Sequence, residues 1–270
     1  MSSKAGIGIA ITTYNRREQL LQLVTSLREH TNPRVPLVVF DDGGCDGSQE
    51  AVAPLVSAYI RAENRGITVN KNRALFYFCR IQPVKRVLLL EDDVLVTTGG
   101  WLKLWKRSID FHGHINMALP TWSKDEPEFH GGRGDARRPE RWTRVSGCAM
   151  GASIRLVRKH IGYLNPRFCG YGYEHAEWSE RWIANGYGGA ITPRGRVYFA
   201  QSKGLILQPS QSSRNAEQIQ TNRKIFIELR NANYPAAMKP WTNPEQKADF
   251  LSSFSKVDEQ KTTFEAASKP

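Results

Sequence analysis

The sequence predicts an α/β fold in which a mostly parallel sheet is flanked by helices. Short apolar runs alternate with helix-type segments over the first hundred residues. Some runs are apolar at every position, as in Val87-Leu88-Leu89-Leu90, which is typical of strands buried on both faces of a parallel sheet. Polar motifs follow these runs, and open α/β sheets bind ligands at the carboxyl ends of their strands.

The first half of the chain is predicted to form strand–helix units. Apolar residues at helical spacing, such as Leu20, Leu23, Val24 and Leu27, indicate the first helix. This alternation requires parallel strands that are joined by right-handed crossovers. The predicted strands cover 6–13, 37–40, 59–61 and 86–90, and the predicted helices cover 18–30, 49–58 and a segment around 70–73.

The second half is predicted to continue the domain. A polar segment, 120–144, interrupts the pattern, and such segments in compact domains are usually lids or binding loops. We predict one domain over 1–240, with halves of about 6–119 and 120–240, followed by a peripheral polar tail over 241–270. The predicted helices cover 101–111, 154–161, 174–185 and 216–230, and the predicted strands cover 115–119, 145–152, 190–192 and 197–199.

Composition narrows the class of protein. The 270 residues carry a formal net charge of +12, which suggests a polyanionic partner such as nucleic acid, a phosphate-rich polymer or an anionic membrane surface. The four cysteines include no CxxC pair, which argues against a zinc module and fits a reducing compartment. We see no signal peptide and no membrane-spanning apolar run, so we expect a cytoplasmic protein, in the host cytoplasm if it is viral.

An acidic motif, Glu91-Asp92-Asp93, ends the apolar strand that begins at Arg86. Adjacent carboxylates repel one another and are costly unless a cation or hydrogen-bond donors lie over them. Hard oxygen ligands of this type suit Mg²⁺ or Mn²⁺, usually together with substrate phosphates. The alternative is a solvated acidic turn after a core strand.

A basic motif lies in the polar segment 120–144. Its arginines surround one tryptophan, and they greatly outnumber the acidic residues beside them. Arginine with an interleaved aromatic residue is suited to gripping phosphates or a stacked base, and the alternative is a solvated basic loop. The residues of this motif are Arg133, Arg137, Arg138, Arg141, Trp142 and Arg144.

Taken together, the motifs resemble those of GT-A type nucleotide-sugar glycosyltransferases, closest to the family-2 group. The resemblance covers residues of about 6–200, and it implies a Rossmann-like mixed sheet with a nucleotide-binding first half. The acidic motif is also similar to that of N-acetylglucosaminyltransferase I. The matching motifs are Thr13-Tyr14-Asn15-Arg16, Asp41-Asp42-Gly43, Asn64 and Gly66 with Lys71-Asn72-Arg73, the acidic motif, and the segment 162–181.

The resemblance implies a role for each motif. Asp41 is expected to accept a hydrogen bond from an N–H of the nucleobase, and the expected base is uracil. Asp93 is expected to bind Mn²⁺ or Mg²⁺ directly, and Glu91 and Asp92 to bind the ribose or metal-bound waters. The residues expected to line the nucleotide pocket or position the base and diphosphate are Thr12, Tyr14, Arg16, Asn64 and Lys71.

The sequence leaves three candidates for the general base. In inverting relatives an acidic pair opens the late helix, and its second member deprotonates the acceptor hydroxyl. Here Glu174 matches the first acid, and His175 stands where the base aspartate is expected. His175 suits this role because an imidazole changes charge near neutral pH. Glu174 is a nearly equal candidate for the base, and Glu177 is the third candidate. Arg181 falls at the arginine spacing of the family.

The sequence also leaves the chemical class of the acceptor undecided. The residues expected to bind the acceptor are Arg137, Arg138, Arg141, Trp142 and Tyr173. The positive charge favours a polyanionic acceptor, for example DNA with a hydroxymethylated base, whereas cell-surface saccharide, lipid-linked and protein acceptors are alternatives. Many relatives supply a late histidine to the metal, and the segment 198–202 has none.

Two other functions compete with sugar transfer by inversion. A nucleotidyltransferase would use a related scaffold, but the loop after its first strand is typically rich in glycine and basic residues, unlike Thr13-Tyr14-Asn15-Arg16. The second alternative is a binding module that keeps the fold but does not catalyse a reaction. It would explain why no aspartate stands at the position expected for the base. Product analysis separates the first alternative, because it releases pyrophosphate.

Overall fold

The computed structural model describes residues 6–193, 195–209, 215–234 and 237–255. These residues form a large mixed sheet with helices on both of its faces. The outer part of the predicted tail, 256–270, lies outside the described residues, as do residues 1–5.

Four parallel strands build the first half of the sheet. They are β1 (Gly8–Thr13), β2 (Leu37–Asp41), β3 (Ala58–Arg61) and β4 (Arg86–Glu91). Their order is β3-β2-β1-β4, and each neighbouring pair is parallel. Their connections run through α1 (Arg17–His30), α2 (Ser48–Val52) with a 3₁₀ turn (Ala53–Leu55), and α3 (Ile67–Phe76), which continues as a π-helical turn (Tyr77–Ile81).

The second half adds strands of both directions. They are β5 (Val94–Val96), β6 (His114–Met117), β7 (Glu140–Trp142), β8 (Ala149–Ser153), β9 (Gly189–Thr192), β10 (Gly195–Gln201) and β11 (Leu205–Leu207). From β4 the sheet continues in the order β8-β6-β10-β7, and β9 also pairs with β10. β8 is antiparallel to β4 and β6, so β6 runs parallel to the first four strands. β11 pairs with β5 in a small separate sheet.

The remaining helices cover the two faces of the sheet. They are α4 (Trp101–His112), α5 (Ile154–Leu156) with a π-helical turn (Val157–Ile161), α6 (Glu174–Ala184), α7 (Ala216–Asn231) and α8 (Pro244–Ser252). Alternate residues of β4 enter two cores: Leu88 packs in the core that contains Trp105 of α4, and Leu89 packs in the core that contains Trp178 of α6. This explains why β4 is apolar at every position from Val87 to Leu90.

Three segments differ from the sequence prediction. The polar segment 120–144 contains a short strand, β7, which pairs antiparallel with β10. The predicted strand 145–152 begins only at Ala149. Part of the predicted peripheral tail is α8, whose Phe250 is 2% exposed. Phe250, Phe254 and Trp241 all pack around Phe76, so a small aromatic cluster docks this helix.

No helix that these described ranges form combines the length and apolar character needed to cross a membrane.

Candidate active site

Side chains from neighbouring strands meet at one edge of the sheet. Because β1, β2 and β4 are parallel, their carboxyl ends lie together, and Thr13 is paired in register with Asp41. The first turn of α6 brings Glu174 to the same edge. There Lys71 of α3 bonds both Glu91 and Glu174, so it joins the acidic strand end to the helix opposite.

The acidic turn after β4 is held by β1 and the residues that follow it. Asp92 is buried, and its carboxylate accepts hydrogen bonds from Thr13 Oγ1 at 2.8 Å and from Arg16 Nη1 at 3.0 Å. Burial raises the pKa of Asp92 to about 6, although Arg16 and Thr13 act to lower it. Arg16 also lies 3.6 Å from Asp93, whose side chain is the more accessible of the two. Asp92 therefore anchors the turn, and Asp93 faces the cleft edge.

Gln208 fixes the same turn from the far end of the chain. Its backbone N–H donates to the carbonyl of Asp93 at 2.7 Å, and its Nε2 donates to the carbonyls of Asp92 at 3.3 Å and Gln19 at 3.1 Å. The pairing of β11 with β5 brings it there. Sequence reasoning missed Gln208, because a single glutamine after a short strand forms no recognisable pattern.

Glu91, Asp93 and Cys148 form a group that could hold a metal ion. One ligand atom from each lies within 4.8 Å of the others. Burial, together with Glu91 and Asp93, raises the pKa of the Cys148 thiol, so the thiol stays protonated at neutral pH and is a poor ligand. The two carboxylates suit Mg²⁺ or Mn²⁺, which prefer oxygen ligands. The donor set therefore fits the cation expected from the sequence, with Cys148 as an unpredicted neighbour.

Lys71 is the buried cation of the site. Its Nζ lies 2.7 Å from Glu91 Oε1 and 3.2 Å from Glu174 Oε1, and it also donates to the carbonyl of Gly147 at 3.3 Å. Burial alone would lower the pKa of Lys71, but the two carboxylates raise it above its usual value, so the ammonium stays charged. Lys71 therefore contacts carboxylates of the site and does not point freely at a diphosphate.

Glu174 and His175 form a hydrogen-bonded pair at the start of α6. His175 Nδ1 lies 3.2 Å from Glu174 Oε1, the oxygen that Lys71 also contacts. Burial opposes ionisation of Glu174, yet His175 and Lys71 hold the pKa of this carboxyl well below its usual range. A carboxylate that ionises so readily is a weak proton acceptor at neutral pH. The imidazole of His175 remains partly exposed.

Gly147 leaves room for the imidazole. A Cβ at this position would lie 2.9 Å from Cγ of His175, closer than such atoms approach in proteins. The loop before β8 therefore passes against the ring, and Lys71 bonds the carbonyl of the same glycine. The imidazole is held between this loop and Glu174, which restricts its orientation.

Glu177, the third candidate for the base, forms a buried ion pair with Arg181. It is fully buried, and its two oxygens accept hydrogen bonds from Arg181 at 2.7 and 2.8 Å. Arg181 also donates to the carbonyls of Ile161 and Tyr163. This ion pair packs α6 against the turn after α5 and does not open into the cleft, so the expectation that Glu177 acts as a base is wrong.

We expect Glu177→Gln to lower the free energy of unfolding by about 3 kcal/mol, because it leaves Arg181 as a buried charge without its counterion. Glu228→Gln is the matched control, since Glu228 makes a similar two-pronged bond with Arg167 at an exposed position, where the loss of an ion pair costs far less. Urea unfolding followed by circular dichroism measures both. Equal losses would contradict the structural role of Glu177.

Asp41 and Asp42 shape the turn after β2. Asp41 is buried, and it accepts hydrogen bonds from the Gly44 N–H at 2.8 Å and the Tyr59 hydroxyl at 2.9 Å. Burial raises the pKa of Asp41. Asp42 bonds Arg73 Nη1 at 2.9 Å and so ties this turn to α3. A carboxylate oxygen can accept more than one hydrogen bond, so Asp41 keeps the capacity to bind a base N–H.

The other residues expected in the nucleotide pocket divide into two groups. Tyr14 and Asn64 are exposed beside the ends of β1 and β3 and are accessible to a ligand. Thr12 is buried, and its hydroxyl donates to the carbonyl of Leu90 at 3.3 Å, so its side chain holds β1 against β4. Thr13, one residue later, makes the contact with the acidic motif.

The structure separates the residues expected to bind the acceptor. Trp142 is 1% exposed and packs between other aromatic side chains, so the expectation that it stacks on a ligand is wrong. Arg137 lies over the ring of Phe111, and Arg138 pairs with Asp135, both beside α4. Of the remaining two, Arg141 is exposed on β7, and Tyr173 packs against Phe226 at the start of α6.

Comparison with a family model identifies the evolutionary group. Residues 8–155 match the model described as Glycosyl transferase family 2. The chain belongs to glycosyl transferase family 2. The matched segment contains β1 to β8 and the acidic turn, and thus most of the candidate site. No curated protein matches the chain.

Solved structures share the fold of this family member at low sequence identity. Residues 1–349 of Staphylococcus aureus TarS in complex with UDP-GlcNAc give a TM-score of 0.56 at 16% identity, covering 93% of this chain and 74% of that chain. The mannosyltransferase PcManGT from Pyrobaculum calidifontis, in complex with GDP-Man and Mn²⁺, gives 0.55 at 14% identity, covering 98% and 74%. This chain spans only 36% of the longer TarS structure.

The expected GT-A type fold and family-2 relationship are thereby confirmed. The likeness of the acidic motif to that of N-acetylglucosaminyltransferase I stays a prediction.

Proposed function

We propose that this chain is a metal-dependent glycosyltransferase that moves a sugar from a nucleotide-sugar, a UDP-sugar in the first instance, to an acceptor hydroxyl with inversion. One observation carries the proposal. Two accessible carboxylates, Glu91 and Asp93, lie across Lys71 from a Glu174–His175 pair, at the edge of the sheet where α/β proteins bind ligands. We infer from this arrangement that the metal and diphosphate bind on one side of Lys71 and that the base acts from the other side.

We assign the two halves of the domain to different substrates. Residues of about 6–119 bind the donor, with Tyr14, Asn64 and Asp41 on the nucleoside, and residues of about 120–240 supply the base and the acceptor side. UDP is preferred as donor nucleotide because a TarS structure holds UDP-GlcNAc and another holds UDP, whereas PcManGT holds GDP-Man. A carboxylate such as Asp41 accepts the N–H that uracil offers.

Asp93 and Glu91 are the residues that would hold Mn²⁺ or Mg²⁺. When bound, such a cation neutralises the charge that develops on the leaving diphosphate. Arg16, 3.6 Å from Asp93, places a further positive charge beside the same position. Lys71 offsets the repulsion between Glu91 and Glu174 and fixes both side chains.

His175 is the proposed general base and Glu174 its positioning residue. A proton on Nδ1 that is donated to Glu174 leaves Nε2 as an acceptor. Nε2 takes the proton of the acceptor hydroxyl as that oxygen bonds the anomeric carbon and the bond from this carbon to the diphosphate oxygen breaks. The nucleoside diphosphate leaves, and attack from the opposite face inverts the configuration.

The proposed acceptor is polyanionic, and DNA with a hydroxymethylated base is one candidate. The net charge of +12 supports this class, and a base that carries the hydroxyl would have to leave a duplex to enter the cleft. A neutral cell-surface saccharide or a protein is the alternative. A cytoplasmic location is proposed with the nucleic-acid acceptor.

The donor is tested by thermal unfolding with a panel of UDP-, GDP- and ADP-sugars, each with and without Mn²⁺. At 100 times its Kd a ligand stabilises the native state by about 2.7 kcal/mol, which for a domain of this size raises Tm by roughly 5–10 °C. We expect UDP-sugars with Mn²⁺ to give such a shift and Mn²⁺ alone to give little, since Lys71 already engages Glu91. A shift with GDP-sugars alone would overturn the choice of UDP, and no shift with any donor would overturn the proposed function.

A further inference from the structure

We propose that a basic groove along α4 binds single-stranded nucleic acid, at a surface separate from the donor cleft. The groove joins two cavities of about 660 and 600 Å³. The basic residues of the larger cavity are Arg80, Lys85, Arg86, Arg155, Arg158 and Lys159. Those of the smaller cavity are Lys103, Arg107, Arg137 and Arg138.

The larger cavity lies at the opposite edge of the sheet from the candidate active site. Arg86 is the first residue of β4, whereas Glu91 is its last, and a strand of this length spans about 20 Å. The cavity is therefore not part of the donor pocket. Its basic residues come from the turn after α3, the start of β4 and the segment around α5, and the end of α4 completes its walls.

The charge of the larger cavity is largely uncompensated. The one acidic side chain among its lining residues, Asp110, pairs with Arg86. Within the described ranges, no carboxylate lies within ion-pair distance of Arg155, Arg158 or Lys159, and all three are exposed. Uncompensated cations in a concave surface concentrate anions from solution.

One contact joins the two cavities into a groove. Arg137 of the smaller cavity lies with its guanidinium 4.6 Å from the ring centre of Phe111, which lines the larger cavity. Lys103, Arg107 and Phe111 are spaced at i, i+4 and i+8, so they lie along one face of α4. The groove is thus at least as long as this helix, about 18 Å. A stacked nucleic acid strand presents a phosphate roughly every 3.4 Å, so about five phosphates fit.

The chemistry favours a nucleic acid strand over other anions. A concave groove does not match a flat membrane surface, and its length exceeds that of a free phosphate or a nucleotide. Arginines bind phosphates in a two-pronged geometry. Phe111 is 43% exposed, and Tyr187 lines the same cavity, which gives unpaired bases aromatic faces on which to stack. An acidic peptide would use the cations but not these rings.

The test measures binding of a fluorescein-labelled 20-mer of oligo(dT) by anisotropy, in the absence of any sugar donor. With about five phosphates neutralised, affinity should fall by roughly 100-fold between 50 and 200 mM NaCl, since the salt slope is about −0.7 per phosphate for single strands. The variant Arg155→Glu/Arg158→Glu/Lys159→Glu should bind oligo(dT) at least tenfold more weakly at 50 mM NaCl. Its affinity should fall by less than about tenfold between 50 and 200 mM NaCl, because fewer phosphates are neutralised.

The matched control is Arg34→Glu/Arg223→Glu/Lys224→Glu, which makes the same change in net charge at exposed positions away from the groove. The affinity of this control for oligo(dT) should stay within about threefold of that of the unmodified chain. A second variant, Lys103→Glu/Arg107→Glu, tests the other half of the groove and should also weaken binding. Equal loss in the control, or no binding at 50 mM NaCl, would overturn the proposal.

Two competitors decide the class of ligand. Unlabelled oligo(dT) should displace the probe, whereas poly-glutamate of equal charge and phosphatidylserine vesicles should displace it at least tenfold less well. Equal competition by either would overturn nucleic acid as the ligand. The groove variants should keep the thermal shift with UDP-sugar and Mn²⁺, so that failure of this inference is distinguishable from failure of the proposed transferase.

Discussion

Replacement of Asp93 by asparagine is expected to lower kcat for sugar transfer by about 10³-fold, because loss of a metal ligand removes roughly 4 kcal/mol of stabilisation from the charge on the leaving diphosphate. Asparagine keeps the size of the side chain and its carbonyl oxygen but removes the negative charge. The Mn²⁺-dependent part of the thermal shift with UDP-sugar should disappear in the same variant. Release of nucleoside diphosphate, measured with a coupled assay, gives the rate.

Asp125→Asn is the control for the loss of one negative charge. Asp125 is exposed in the segment 120–144, and its hydrogen bonds within the described part of the chain are local ones with Ser123. Its activity should stay within about twofold of the unmodified chain, as expected for a surface substitution. Activity of Asp93→Asn above a tenth of normal, with an intact response to Mn²⁺, would contradict the role given to Asp93.

Replacement of His175 by alanine is expected to lower kcat by about 10²- to 10⁴-fold, the usual contribution of a positioned general base. KM for the donor should change little, since His175 contacts Glu174 and the loop at Gly147 and lies across the cleft from Asp93. Millimolar imidazole in solution should restore part of the rate to this variant, an effect that a purely structural role would not produce. His30→Ala, at the end of α1, is the control and should behave as the unmodified chain.

Glu174→Gln separates the two remaining candidates for the base. If His175 is the base, the glutamine variant keeps a measurable rate, because its amide oxygen still accepts from Nδ1, and kcat falls by less than in His175→Ala. Full loss of activity in Glu174→Gln, with near-normal activity in His175→Ala, would assign the base to Glu174.

Much of the fold could be predicted from sequence because the central residues of β1 to β4 are apolar and each strand is followed by a short polar motif. Parallel strands place these motifs at one edge whatever the details of packing, so the meeting of Thr13, Asp41 and Glu91 followed from topology alone. For Glu174 the prediction came instead from the resemblance to inverting relatives, in which an acidic pair opens the late helix.

The details that depend on side-chain direction could not be predicted. Sequence does not distinguish a tryptophan that stacks on ligands from one that fills a small core, which is the case for Trp142. It does not show that Glu177 is taken by Arg181, one helical turn further along. The partners of Lys71 and Gln208 lie far away in sequence, and only the assembled sheet brings them together.

The most direct measurement is a crystal soaked with UDP and MnCl₂ and analysed with anomalous scattering at the manganese edge. We predict one strong peak beside the carboxylate of Asp93, with the uracil near Asp41 and the diphosphate on the side of Arg16. A manganese peak elsewhere, or a nucleotide bound at another edge of the sheet, would contradict the proposed donor site and with it the mechanism.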